Sequence, residues 1–176
     1  SGGMLASTIK GIDTRFHNAS IGGVSTDPRM LSFSFSFCKL HILIVNVYFH
    51  TGSGLTGANL HRLRHLYSLT DAGRRIVIAV GDFNIKSQAM SDSGLLDIYG
   101  FAILSPSEAT CSSGKGAILD YVLITKDHVA LISKVEAVRT VSWEPHRGLR
   151  ITFNEKPDKF LVQKIVRPVT IDKAIE

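Results

Sequence analysis

The run Ile76-Val77-Ile78-Ala79-Val80-Gly81-Asp82-Phe83-Asn84 decides how the rest of the chain is read. Its first five residues are apolar and mostly β-branched, the composition of a strand covered on both faces. Gly81 permits a tight turn that lifts Asp82 and Asn84 to the C-terminal rim of that strand. A carboxylate beside an amide at a strand tip is a site signal. Taken alone, the same residues also describe a strand followed by an Asx-stabilised turn, so the decision rests on the company they keep.

Three other segments supply that company. Ile118-Leu119-Asp120-Tyr121-Val122-Leu123-Ile124-Thr125 sets an aspartate inside an otherwise apolar run. A buried carboxylate there is costly unless it is paired or hydrogen-bonded, so Asp120 needs a partner. Trp143-Glu144-Pro145-His146-Arg147-Gly148-Leu149-Arg150-Ile151-Thr152-Phe153 offers one in His146. Upstream, Val45-Asn46-Val47-Tyr48-Phe49-His50 ends a further apolar strand on Tyr48.

In order and spacing, these four segments resemble the motifs of the endonuclease/exonuclease/phosphatase superfamily, which includes DNase I, abasic-site endonucleases and retrotransposon endonucleases. The pattern is nearest to the retrotransposon type. The GDFN run matches directly. The Asp120 strand resembles the family's (R/S)-x-x-D-Y strand, the His146 segment its closing S-D-H strand, and the Tyr48 strand its N-V-Y-x-P strand. The resemblance covers residues 42–153 and implies roles for Asp82, Asn84, Asp120, His146 and Tyr48. Tyr48 and Asn84 would bind phosphate oxygens, and Asp82 would orient or activate the attacking water. Asp120 would hold His146, whose imidazolium would stabilise charge on the phosphorane, with Mg²⁺ assisting the leaving oxygen if the site is active.

The chain departs from the family where the cation is held. The family uses a glutamate from an early strand and an aspartate immediately before the histidine. Here the first glutamate is Glu108, His146 follows Pro145, and the only acids ahead of Tyr48 are Asp13 and Asp27. Glu144 is one residue out of place, beside a proline that fixes the backbone. Mg²⁺ takes oxygen ligands that usually include one or two carboxylates, so the metal ligands remain unassigned. The expectation is a domain descended from a metal-dependent phosphodiesterase, catalytically degenerate and acting in binding or assembly. The alternatives are an active Mg²⁺-dependent DNA or RNA endonuclease, and a structural subunit of a larger ribonucleoprotein complex.

At 176 residues with 44% hydrophobic content, the chain has apolar material for one core. It is shorter than the family's four-layer α/β/β/α sandwich. The expected fold is therefore a partial DNase I-like sandwich over residues 1–153, with mixed, mainly antiparallel sheets and flanking helices. Residues 154–176 read as an extension that docks on a neighbour or on a sheet edge. Ser1-Gly2-Gly3 could be a cloning or cleavage scar.

Within this frame, residues 7–16, 31–37, 40–50 and 99–104 read as strands, with Ile21-Gly22-Gly23-Val24 resembling a family strand start. Residues 58–72 read as a helix whose apolar stripe is Leu60, Leu63, Tyr67 and Thr70, widened by Leu66 and Leu69. Residues 87–96 suggest a short helix, and residues 127–138 a strand or short helix.

The net charge of +5 suits a polyanionic partner without requiring one. Candidate nucleic-acid contacts are Arg74, Arg75 and Arg147, with Arg150 nearby and His61, Arg62, Arg64 and His65 on the outer side of the helix. Aromatic content of 8% without an RNP-like or zinc-knuckle pattern argues against base-specific reading. Nucleic acid and a protein assembly are the expected partners. Cys38 and Cys111 fit no metal spacing, so the default setting is an intracellular, reducing compartment. No apolar run approaches the roughly 18–20 residues of a membrane span.

Overall fold

The apolar runs of the sequence become the strands of one dominant sheet. The computed structural model describes residues 14–17 (backbone only), 27–37, 39–113, 116–140 and 144–154. Among the described residues there are eight strands: β1 (Thr14–His17), β2 (Met30–Phe37), β3 (Leu40–Tyr48), β4 (Ile76–Asp82), β5 (Phe101–Leu104), β6 (Asp120–Thr125), β7 (Ile132–Val138) and β8 (Gly148–Phe153). The helices are α1 (Gly57–Leu69), α2 (Ser87–Asp92) and α3 (Leu95–Ile98), with a 3₁₀ turn at Lys126–Leu131. The short helix expected at residues 87–96 is thus two helices that end at Ile98, and the segment expected at 127–138 holds most of the 3₁₀ turn and β7.

The larger sheet has the order β1-β2-β3-β4-β6-β5. Among the described strands of this sheet, only β3 and β4 run parallel, joined by α1; the other pairings are antiparallel. A parallel pair needs a long crossover, which α1 supplies, close to the expected helix at 58–72. Strands β7 and β8 form a second, antiparallel sheet. This is the mixed α/β architecture expected, with a mainly antiparallel sheet and flanking helices. The proposed extension, residues 154–176, lies outside the described residues beyond Asn154, as do Ile21–Val24 and Cys38. Among the described residues, no helix is long and apolar enough to cross a membrane.

Side chains alternate across the large sheet, and each face builds its own core. Leu43, Val45, Val47, Val77, Ala79, Tyr121 and Leu123 meet Leu63, Leu66, Leu69, Met90 and Leu96 from the helices. On the other face, Ile42, Ile44, Ile76, Ile78, Val122 and Ile124 meet Leu131 and Ile132, with Val135, Ile151 and Phe153 packed against them. Fully burying such a side chain contributes about 1.5–3 kcal/mol. Phe33, Phe35 and Phe37 of β2 pack on this second core while Ser36 is exposed, the period-two pattern read from the sequence.

Helix α1 departs from its predicted stripe. Leu63, Leu66, Leu69 and Thr70 are buried, but Tyr67 is 43% exposed and packs against the Tyr99 ring, tilted at 40°, with centroids 5.4 Å apart. Arg62, expected on the outer side, is buried. Its Nε lies 2.7 Å from Asp27 Oδ2, close enough for an ion pair although its N–H is not aimed along that line. Nη2 and Nη1 donate to Asp27 Oδ1 at 3.2 Å and to Asn59 Oδ1 at 3.3 Å. A buried guanidinium is tolerated because it is paired, and periodicity alone does not see that partner. Burial raises the Asp27 pKa, but hydrogen bonds from Arg62 and Arg29 outweigh it and hold the carboxyl below its usual range.

Candidate active site

Strand register brings the polar tips together. Asp82, the last residue of β4, lies directly opposite Asp120, the first residue of β6, and its other Cα partner is Tyr48 at the end of β3. With period two, Asp82 shares the face of Ile76 and Ile78, and Asp120 that of Val122 and Ile124, so both carboxylates point toward the β7–β8 side. Gly81 makes this tip buildable. Its φ is +145°, and a Cβ there would meet Val47 O at 2.1 Å and Asn46 Oδ1 at 2.9 Å.

His146 closes the cluster. It sits two residues before β8, where its backbone bridges Cys111. Its Nδ1 donates to Asp120 Oδ2 at 2.9 Å, and its Nε2 stands 3.7 Å from Asp82 Oδ2. The carboxylate fixes Nδ1 as the donor and leaves Nε2 for a substrate or water. All three side chains are mostly buried, at 28% exposure for His146, 15% for Asp82 and 12% for Asp120.

Asp82 is held from the turn behind it. Asn84, in the left-handed region at φ 49°, donates its backbone N–H to Asp82 Oδ1 at 2.8 Å and its Nδ2 to Asp82 Oδ2 at 2.9 Å. Nδ2 also donates to Phe49 O at 2.9 Å, and Oδ1 accepts from Thr51 Oγ1 at 3.1 Å. The Asn84 amide therefore works as a clamp on the strand tips, and it holds its neighbours instead of standing free. Burial pushes the Asp82 pKa up, helped by the charge of Asp120 and opposed by the Asn84 hydrogen bonds and by His146. Beneath it, Phe83 stacks on Tyr121 at 4.3 Å. The Tyr121 pKa is raised by burial and by the two carboxylates.

The other candidates separate. Tyr48 stands at the rim, 40% exposed, with the Arg29 guanidinium 4.7 Å above its ring. Arg147 adjoins His146, but its guanidinium meets Glu108 at 3.2 Å, shared with Arg139 at 2.7 Å. Arg74 and Arg75 precede β4, at the opposite end of the strand from Asp82. Seven residues of strand place them on the order of 20 Å away, and Arg74 pairs with Asp71 at 2.8 Å. The structure does not bring them to the site. Two residues at this rim escaped the sequence reading. Arg29 has no signal beyond its place before a strand, and Thr110 is one hydroxyl in a polar loop.

Asp82, Asp120 and His146 each present one ligand atom, all within 4.8 Å of one another. Such a mixed carboxylate–imidazole set can contribute to a divalent cation site, although Asp120 is already engaged by His146.

The fold is shared with solved structures that include two endonucleases and a toxin. The endonuclease domain of TRAS1, a telomere-specific non-LTR retrotransposon, matches with a TM-score of 0.64 at 18% identity, over 83% of this chain and 69% of that one. AP endonuclease LMAP from Leishmania major matches with a TM-score of 0.60 at 16% identity, over 81% and 61% respectively. Cytolethal distending toxin from Actinobacillus actinomycetemcomitans matches at 0.55 and 15%, over 82% and 59%. The chain thus spans about six to seven tenths of the length of these proteins. No protein-family profile matches it, and no curated protein sequence does so significantly. The chain therefore has the fold of the endonuclease/exonuclease/phosphatase superfamily, the DNase I-like arrangement that its four strand-tip motifs resemble.

Proposed function

We propose that this domain is a phosphodiesterase acting on nucleic acid. Its histidine–aspartate half is fully built, and its cation-binding half is sparse. The observation that carries this reading is the convergence of Asp82, Asp120 and His146 from two strand ends and a connecting segment to within 4.8 Å.

A phosphodiester placed against His146 Nε2 would meet an imidazole whose orientation Asp120 fixes, ready to stabilise charge as it develops on phosphorus oxygens. Asp82, with its raised pKa, is suited to take a proton from the attacking water. Tyr48 lines the approach to both. Asp82, together with a phosphate oxygen and the second carboxylate oxygen of Asp120, would hold a divalent cation such as Mg²⁺. When bound, that cation supplies charge at the leaving oxygen.

One observation favours a second reading, a degenerate domain that binds nucleic acid or a protein assembly without turnover. Among the described residues this trio is the one group of three potential ligands, and one of its carboxylates is spent on the imidazole. Incubation with supercoiled plasmid and Mg²⁺ or Mn²⁺ separates the two. The expected result is nicking that falls by about 10²-fold or more in Asp82→Ala and in His146→Ala. No nicking with either cation, or nicking unchanged in both variants, would leave the degenerate domain as the better account.

A further inference from the structure

The geometry points to Thr110 as a positioning residue for the Asp120–His146 pair, acting through a short splint, residues 110–112, that lies outside all four motifs. Its effect on rate rests on the phosphodiesterase reading; its effect on the pair itself does not.

Thr110 is completely buried. Its Oγ1 accepts hydrogen bonds from the backbone N–H of Leu119 at 3.0 Å and of Asp120 at 2.9 Å. Its own N–H donates to Ala117 O at 2.9 Å, and its carbonyl accepts from Arg147 N at 2.7 Å. Next to it, Cys111 bridges His146. Ser112 donates to Pro145 O from its N–H at 2.9 Å and from its Oγ at 3.1 Å. Three consecutive residues thus grip the backbone at Leu119–Asp120 on one side and at Pro145–Arg147 on the other.

Both functional residues need this help. Asp120 is the first residue of its strand, at the end of its ladder with β4, and His146 lies outside any strand, so neither is flanked on both sides by ladder pairs. A hydroxyl oxygen has two lone pairs and can receive both N–H groups at once. A β-branched hydrocarbon of the same shape fills the space and receives neither. A residue that merely packed here would be replaceable by valine. The geometry instead requires the acceptor, because the 2.9 Å contact between His146 and Asp120 follows the backbone that Thr110 fixes.

The test compares Thr110→Val, which keeps shape and removes the acceptor, with Thr110→Ser, which keeps the acceptor and removes a methyl. The first readout is the downfield Nδ1 proton resonance of the His146–Asp120 hydrogen bond, assigned with His146→Gln, which needs no turnover. The second is steady-state nicking, resolved into kcat and KM. Thr110→Val is expected to lose or broaden the resonance and to lower kcat by about 10²-fold with little change in KM, the signature of a misplaced catalytic group. Thr110→Ser is expected to restore both readouts.

A wild-type resonance and kcat in Thr110→Val would overturn the inference. If Thr110→Val does not fold, Thr110→Ala replaces it against Thr110→Ser, and equal resonances in those two would overturn it as well. A wild-type protein that nicks nothing, with a resonance lost only when the acceptor is removed, would sink the phosphodiesterase reading and uphold the splint.

Discussion

Asp82 and Asp120 face each other across an antiparallel pair, where like charges repel. His146 relieves that repulsion by bonding Asp120, yet Asp82 still carries a raised pKa, first from burial and then from the charge of Asp120. A carboxyl with a raised native pKa stabilises the fold only while protonated. That contribution is complete below the unfolded-state value and is lost as pH rises through the native one. Asp82→Asn should therefore melt at a higher temperature than wild type at neutral pH, with the gap closing as pH falls and the wild-type carboxyl takes up its proton. Thermal denaturation at neutral and acid pH checks this, and a gap that widens toward acid would contradict the burial argument. The same variant should lose activity, since sites poised for proton transfer are held against stability.

At the scale of elements, β4 is the piece on which the site depends, because it meets both β3 and β6 and ends on Asp82. Gly81 lets it approach β3 closely at a backbone angle that side chains rarely adopt. Gly81→Ala should destabilise the protein by about 3 kcal/mol or more, because the carbonyl of Val47 stands where the methyl would go. Denaturant titration measures this, and a loss below about 1 kcal/mol would show that β3 and β4 can part without penalty. Helix α1 is anchored differently. Asn59 bonds both backbone groups of His50 at 2.7 and 2.9 Å as well as Gly54 O at 2.9 Å, and Arg62 pairs with Asp27, so polar residues complete what the leucine stripe begins.

Across the described residues, the large sheet is covered by helices on one face and by two strands and the 3₁₀ turn on the other. A two-stranded sheet is marginal alone. Strands β7 and β8 are held by packing, with Phe153 set 5.9 Å from Phe35 and 5.4 Å from Phe37. Phe153→Ala should cost about 2–3 kcal/mol, less than a fully buried phenylalanine. It should also speed hydrogen exchange in β7 and β8 more than in β3, β4 and β6. Uniform acceleration in both sheets would mean that they open as one unit.

The main strands and the long helix were legible in the sequence because they follow from local rules, whereas the sandwich was expected from the family resemblance. Long apolar runs made β3, β4 and β6, alternation made β2, and a leucine stripe made α1. Asp120 announced its need for a partner because a carboxyl in an apolar strand is costly. The burial of Arg62 was not legible, because its partner Asp27 is 35 residues away, in the turn ahead of β2. Nor was the grip of Thr110. The sequence by itself determined which residues are strand tips, since pleat and polarity have a short period. Only the tertiary structure decided which tips meet, because register, crossover and the splint at residues 110–112 are contacts between segments far apart along the chain.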